Sequence, residues 1–122
     1  MKKIMIVDDE PDQIYTMKKM LESKSDEYEL IGVQSAIQCL HLLQKNEIPD
    51  IIFLDIMMPE MTGWELYNKI KENTEWKKIP IVFLTARSDR VAYKAGSFLG
   101  DDFLTKPYDI QEIIKIIEEK TV

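Results

Sequence analysis

Three unbroken apolar runs constrain this chain more than any other feature. Ile4-Met5-Ile6-Val7, Ile51-Ile52-Phe53-Leu54 and Ile81-Val82-Phe83-Leu84 are rich in β-branched residues and show no polar alternation. A strand with one wet face alternates, so runs of this kind predict strands buried on both faces. Tyr28 to Val33 reads as a fourth strand and Phe103-Leu104 as a short fifth. Strands buried on both faces need helices above and below, and the intervening sequence supplies helical patterns. Ile14, Met17 and Leu21 share a face, as do Ala36, Leu40 and Leu43, and Leu66 and Ile70. Ile110, Ile113, Ile114 and Ile117 form the cleanest stripe, opposite Glu112, Lys115, Glu118 and Glu119. Pro11 suits a first helical turn, and Ser35, Thr62 and Asp109 are expected N-caps. The segment from Ser88 to Phe98 is the weakest helix, with only Val91, Ala92 and Ala95 to bury.

Strand and helix thus alternate five times. That pattern predicts an α/β fold with three layers: a doubly wound, five-stranded parallel sheet with helices on both faces. The 122 residues fit one domain, expected to run over 1–122, and 45% hydrophobic content suffices for its core. No internal repeat, low-complexity stretch or linker interrupts the chain. A net charge of −6 argues against non-specific binding to nucleic acid or to an anionic membrane. Cys39 is the only cysteine, so an internal disulfide is impossible and a reducing, cytoplasmic setting is expected. No apolar run approaches the roughly 20 residues that span a bilayer. Acidic residues at 8, 9 and 10 end the first run too early for a signal peptide.

In open parallel sheets the ligand site lies beyond the carboxyl ends of the strands. Asp8, Asp9 and Glu10 follow the first strand, Asp55 ends the third, Thr85 ends the fourth, and Lys106 comes just after the fifth. Taken singly, each has a bland reading. Acidic residues after a strand cap helices, a lone Asp at a strand end is a turn residue, and Lys106-Pro107 is a loop. Taken together they converge at one sheet edge. Carboxylates gathered there repel one another unless a cation joins them. One candidate cation is Mg²⁺, held by carboxylates, water and phosphate oxygens; the other is Lys106. A site with both has surplus positive charge until an anion such as a phosphoryl group arrives, to which Thr85 adds a hydroxyl donor. Phosphoryl transfer asks for this positioning and charge neutralisation, and a carboxylate can be its nucleophile.

Five segments resemble the signature segments of response-regulator receiver domains: Ile4-Met5-Ile6-Val7-Asp8-Asp9-Glu10, Leu54-Asp55-Ile56-Met57-Met58-Pro59, Met61-Thr62-Gly63-Trp64-Glu65-Leu66, Leu84-Thr85-Ala86 and Asp101-Asp102-Phe103-Leu104-Thr105-Lys106-Pro107. The resemblance covers the whole chain in the right order. It implies the flavodoxin-like strand order 2-1-3-4-5. It also implies a two-component phosphorelay role, with Asp55 phosphorylated from a phosphohistidine of a sensor histidine kinase or phosphotransfer protein. Asp9, Asp55 and the backbone carbonyl of Met57 would ligate Mg²⁺ (Mn²⁺ able to substitute), with Asp8 acting through water. Lys106 would pair with a phosphoryl oxygen. Thr85 and Phe103 would form the switch, and Pro107 would follow a cis peptide. A downstream protein partner would read the face made by the fourth helix, fifth strand and last helix, with no direct nucleic-acid or membrane binding.

Leu99-Gly100-Asp101-Asp102 departs from the family's usual Gly-Ala-Asp-Asp, so the loop feeding the fifth strand is expected to differ. Phe103 stands where Tyr is commoner. His41, the only histidine, is expected at the surface, Cys39 as a small packed residue, and Met57, Met58 and Met61 as loop packing. Met57 and Arg87 are expected to tune hydrolysis of the phosphorylated state. The expectation is a signalling module, not an enzyme. The alternative is a Mg²⁺-dependent small-molecule phosphatase or phosphotransferase, which usually carries Asp-x-Asp after its first strand and a cap domain; neither is evident here.

Overall fold

The computed structural model describes residues 1–24, 26–86 and 102–121. In chain order these form β1 (Lys2–Val7), α1 (Pro11–Lys24), β2 (Tyr28–Val33), α2 (Ala36–Gln44), β3 (Ile51–Asp55), α3 (Gly63–Glu72), β4 (Ile81–Ala86), β5 (Asp102–Lys106) and a C-terminal helix (Ile110–Lys120). The strands make one five-stranded sheet in the order β2-β1-β3-β4-β5, and every neighbouring pair is parallel. The fold class read from the sequence and the strand order implied by the resemblance are those observed. The expected helix over 88–98, Arg87 and the departure at Leu99 to Asp101 lie outside the described residues.

The apolar runs are buried on both faces, as their lack of alternation requires. Met5, Val7, Ile52, Leu54, Ile81 and Phe83 face a core shared with α2 and α3. Ile4, Ile6, Ile51, Phe53, Val82 and Leu84 face the opposite core, shared with α1 and the C-terminal helix. Helix starts follow local chemistry. Ser35 caps α2, and Thr62 and Asp109 cap their helices with full capping boxes closed by Glu65 and Glu112.

Two details differ from the pattern reading. The buried face of α2 carries Ala36, Cys39 and Leu43, with Leu40 only half-buried, because the helix is rotated to seat Cys39 against Met5. Burial pushes the Cys39 thiol up to about 12, which keeps it a packed, inert group. Lys106, expected just past β5, is its last residue, because the ladder to β4 continues through Ala86 and Lys106. His41 is exposed on α2.

Candidate functional site

The parallel sheet turns all its carboxyl ends to one edge, and the chemistry-bearing residues gather there. Asp8 follows the last residue of β1, and Asp55 ends β3, the strand beside it. The two sit where the chain winds to opposite sides of β1, the crevice at which open parallel sheets bind ligands. Thr85 and Lys106 close the arc from β4 and β5.

Asp8, Asp9 and Asp55 each offer a carboxylate oxygen within 4.8 Å of the others. Asp8 is fully buried, Asp55 is 8% exposed, and Asp9 keeps contact with solvent. Lys106 Nζ lies 3.2 Å from Asp8 Oδ2. The other oxygen, Asp8 Oδ1, accepts a 2.9 Å hydrogen bond from the Glu10 amide. Asp8 therefore joins the charged cluster and also holds the turn before α1 through the Glu10 amide, without capping the helix itself.

The Asp55 carboxylate is disfavoured where it sits. Burial, and next the negative charge of Asp8, push the Asp55 carboxyl from 3.8 up to about 6; Asp9 adds to this, while Lys106 and the Met57 amide that donates to it pull the other way. The folded chain thus holds this proton more tightly than the unfolded chain. Stability from it is complete below 3.8 and is lost as pH rises to about 6. In EDTA at pH 7, Asp55→Asn is expected to raise unfolding free energy by about 2 kcal/mol and to flatten the pH dependence between those values. Urea melts at several pH values test this; equal stability of the two proteins at pH 7 would count against it.

The donor set suits a hard divalent cation. It consists of oxygen atoms only, from the buried Asp8 and Asp55 and the solvent-touching Asp9, and a cation there would offset the burial, and next the repulsion from Asp8, that raise the Asp55 carboxyl. Met57 enters through its backbone amide, while its side chain is 66% exposed. It does not pack in the loop, whereas Met58 and Met61 do. Thr85 is buried, and Phe103 is half-buried beside the α2 and α3 core. The peptide between Lys106 and Pro107 is cis.

Other features of the site depend on contacts that no local pattern displays. The loop from Asp55 to α3 closes where the Gly63 amide donates to the Ile56 carbonyl at 2.8 Å. A Cβ on Gly63 would lie 2.4 Å from the Asp55 carbonyl oxygen and 2.8 Å from Ile56 Cα, so only glycine fits. Tyr108, one residue beyond the cis proline, is buried, and its hydroxyl has no partner among the described residues. Its charged form is disfavoured by burial and then by Asp8 and Asp55, which pushes it up to about 12.

The family model for the response regulator receiver domain matches residues 4–118. A probable cyclic di-GMP phosphodiesterase of Vibrio cholerae is 39% identical over 108 residues, covering 88% of this chain and 24% of that protein. Response regulator Rre1 of Synechocystis sp. is 33% identical over 118 residues, covering 93% of this chain and 49% of that one. Among solved structures, the signal receiver domain of a signal transduction histidine kinase from Syntrophus aciditrophicus is similar with a TM-score of 0.86 at 29% identity, over 98% of this chain and 89% of the other. The chain therefore spans less than half the length of these two curated relatives. No described helix is long and apolar enough to cross a membrane.

Proposed function

This chain belongs to the response regulator receiver domain family of two-component systems, and on that footing we propose that it is a magnesium-dependent phospho-acceptor whose acceptor is Asp55. The observation that carries the reading is the pairing of opposites at one sheet edge. The carboxylates of Asp8, Asp9 and Asp55 gather there, and Lys106 approaches them from the far strand, bound to Asp8. Asp8, Asp9, Asp55 and the Met57 carbonyl would hold Mg²⁺, which when bound neutralises charge on the transferring phosphoryl oxygens.

The chain's own groups supply the rest. An Asp55 oxygen attacks phosphorus as the phosphorus–nitrogen bond of a donor phosphohistidine breaks, and the imidazole leaves with that electron pair. Above pH 6 the Asp55 carboxyl, pushed up to about 6, is ionised and ready to attack. The gained phosphoryl group gives Lys106 a second anion to serve besides Asp8, and offers the Thr85 hydroxyl a phosphoryl oxygen to which it can donate. Phe103 lies beside Phe83 on the strand that carries Thr85, so a shift of Thr85 is felt at Phe103. A sensor histidine kinase or phosphotransfer protein is the donor, and a downstream protein reads the changed face. The phosphodiesterase activity named for the Vibrio relative is that protein's own.

Incubation with Mg²⁺ and acetyl phosphate, followed by intact mass, tests the reading. One added phosphoryl group is expected, with none when EDTA replaces Mg²⁺. Labelling that persists without a divalent cation would contradict the metal-dependent site.

A further inference from the structure

We infer that Phe83 is a positioning residue that links the switch aromatic Phe103 to helix α3 through stacked rings, so that α3 also registers the state of Asp55. The inference rests on the phospho-acceptor reading above. Phe83 and Phe103 are register partners on adjacent parallel strands. Register partners point to the same face of a sheet and stand about 4.8 Å apart. Both belong to the core shared with α2 and α3, where Phe83 is fully enclosed and Phe103 half-buried.

Phe83 also meets two rings from α3. Trp64 lies 4.5 Å away between centroids, tilted by 46°, and Tyr67 lies 5.3 Å away, tilted by 43°. Trp64 in turn follows Gly63, whose backbone sits against the Asp55 carbonyl. Helix α3 is therefore held in two ways, to the Asp55 backbone by the loop through Gly63 and to β4 by the rings of Trp64 and Tyr67 on Phe83. Close-packed interiors do not absorb a ring's displacement by compression; they pass it to the next neighbour. A turn of Phe103 toward or away from that shared core alters the packing on the face that carries Phe83, and Phe83 in turn bears on Trp64 and Tyr67.

The chain carries two tryptophans, Trp64 and Trp76, so a Trp76→Phe background leaves Trp64 as the single emitter. Emission is followed as Mg²⁺ is added and then acetyl phosphate, with intact mass measured on the same samples. In the background protein a second emission change is expected on addition of acetyl phosphate. It is expected to be retained in Phe103→Tyr, which keeps the ring. It is expected to be lost in Phe83→Leu and Phe103→Leu, although both still gain the phosphoryl mass and still respond to Mg²⁺. An undiminished second change in the leucine variants would overturn the inference, since Trp64 would then be sensing the site through the Gly63 loop alone. Phosphorylation of the background protein without any second change would overturn it equally. Absence of the phosphoryl mass in the background protein would instead remove the phospho-acceptor reading, and this inference with it. Should Phe83→Leu fail to melt cooperatively, Phe103→Leu at its half-buried position decides the matter.

Discussion

Lys106→Met should destabilise the metal-free protein by about 3 kcal/mol at pH 7. Asp8 is fully buried, and its partners among the described residues are the Lys106 ammonium at 3.2 Å and the Glu10 amide at 2.9 Å. Removing the ammonium leaves a buried carboxylate with a single neutral donor, beside a second carboxylate at Asp55. Breaking a buried pair from one side is far more damaging than never having had it. The double variant Asp8→Asn with Lys106→Met should therefore recover most of the loss, a non-additivity that a thermodynamic cycle reads directly. Added Mg²⁺ should stabilise Lys106→Met more than the parent protein, because it returns a positive charge to the same carboxylates. A loss below about half a kcal/mol, the usual scale of exposed ion pairs, would show that Asp8 does not depend on Lys106.

Gly63→Ala should damage both fold and site. The new methyl group would sit 2.4 Å from the Asp55 carbonyl oxygen and 2.8 Å from Ile56 Cα. These are backbone atoms of the strand end, so they cannot swing aside as a flexible side chain can. Either the N-terminus of α3 withdraws, breaking the Gly63 hydrogen bond to Ile56, or Asp55 itself is displaced. Overpacking of this kind costs about 2–3 kcal/mol. A displaced acceptor should also lower the rate of phosphoryl gain by on the order of a hundredfold. Thermal melts and timed mass spectra measure the two effects. A variant with the parent's melting temperature and labelling rate would show that the loop closes on the acceptor less tightly than the structure has it.

What was legible in the sequence was whatever depends on local chemistry or on topology. The caps at Ser35, Thr62 and Asp109 could be read because a short polar side chain before an apolar stripe has one structural use. Asp8, Asp55, Thr85 and Lys106 could be read as one group because a parallel sheet brings every strand's carboxyl end to the same edge. Contacts set by helix rotation and close approach could not be read. Nothing local says that Cys39 and not Leu40 faces the sheet, that Gly63 touches the Asp55 backbone, or that Trp64 and Tyr67 stack on Phe83. Which carboxylate Lys106 pairs with could not be read either. Lys106 bonds Asp8, the buried member, while the trio of carboxylates still offers its oxygens to a cation.

The central claim is that Asp55 is the residue that takes the phosphoryl group, and locating that group tests it most directly. After incubation with Mg²⁺ and acetyl phosphate, borohydride reduction converts an acyl phosphate to homoserine, and peptide mass spectrometry then finds the modified position. The expected result is homoserine at Asp55 alone, with no modified peptide from Asp55→Asn. Homoserine at Asp8 or Asp9, or labelling of Asp55→Asn at the parent's rate, would contradict the account.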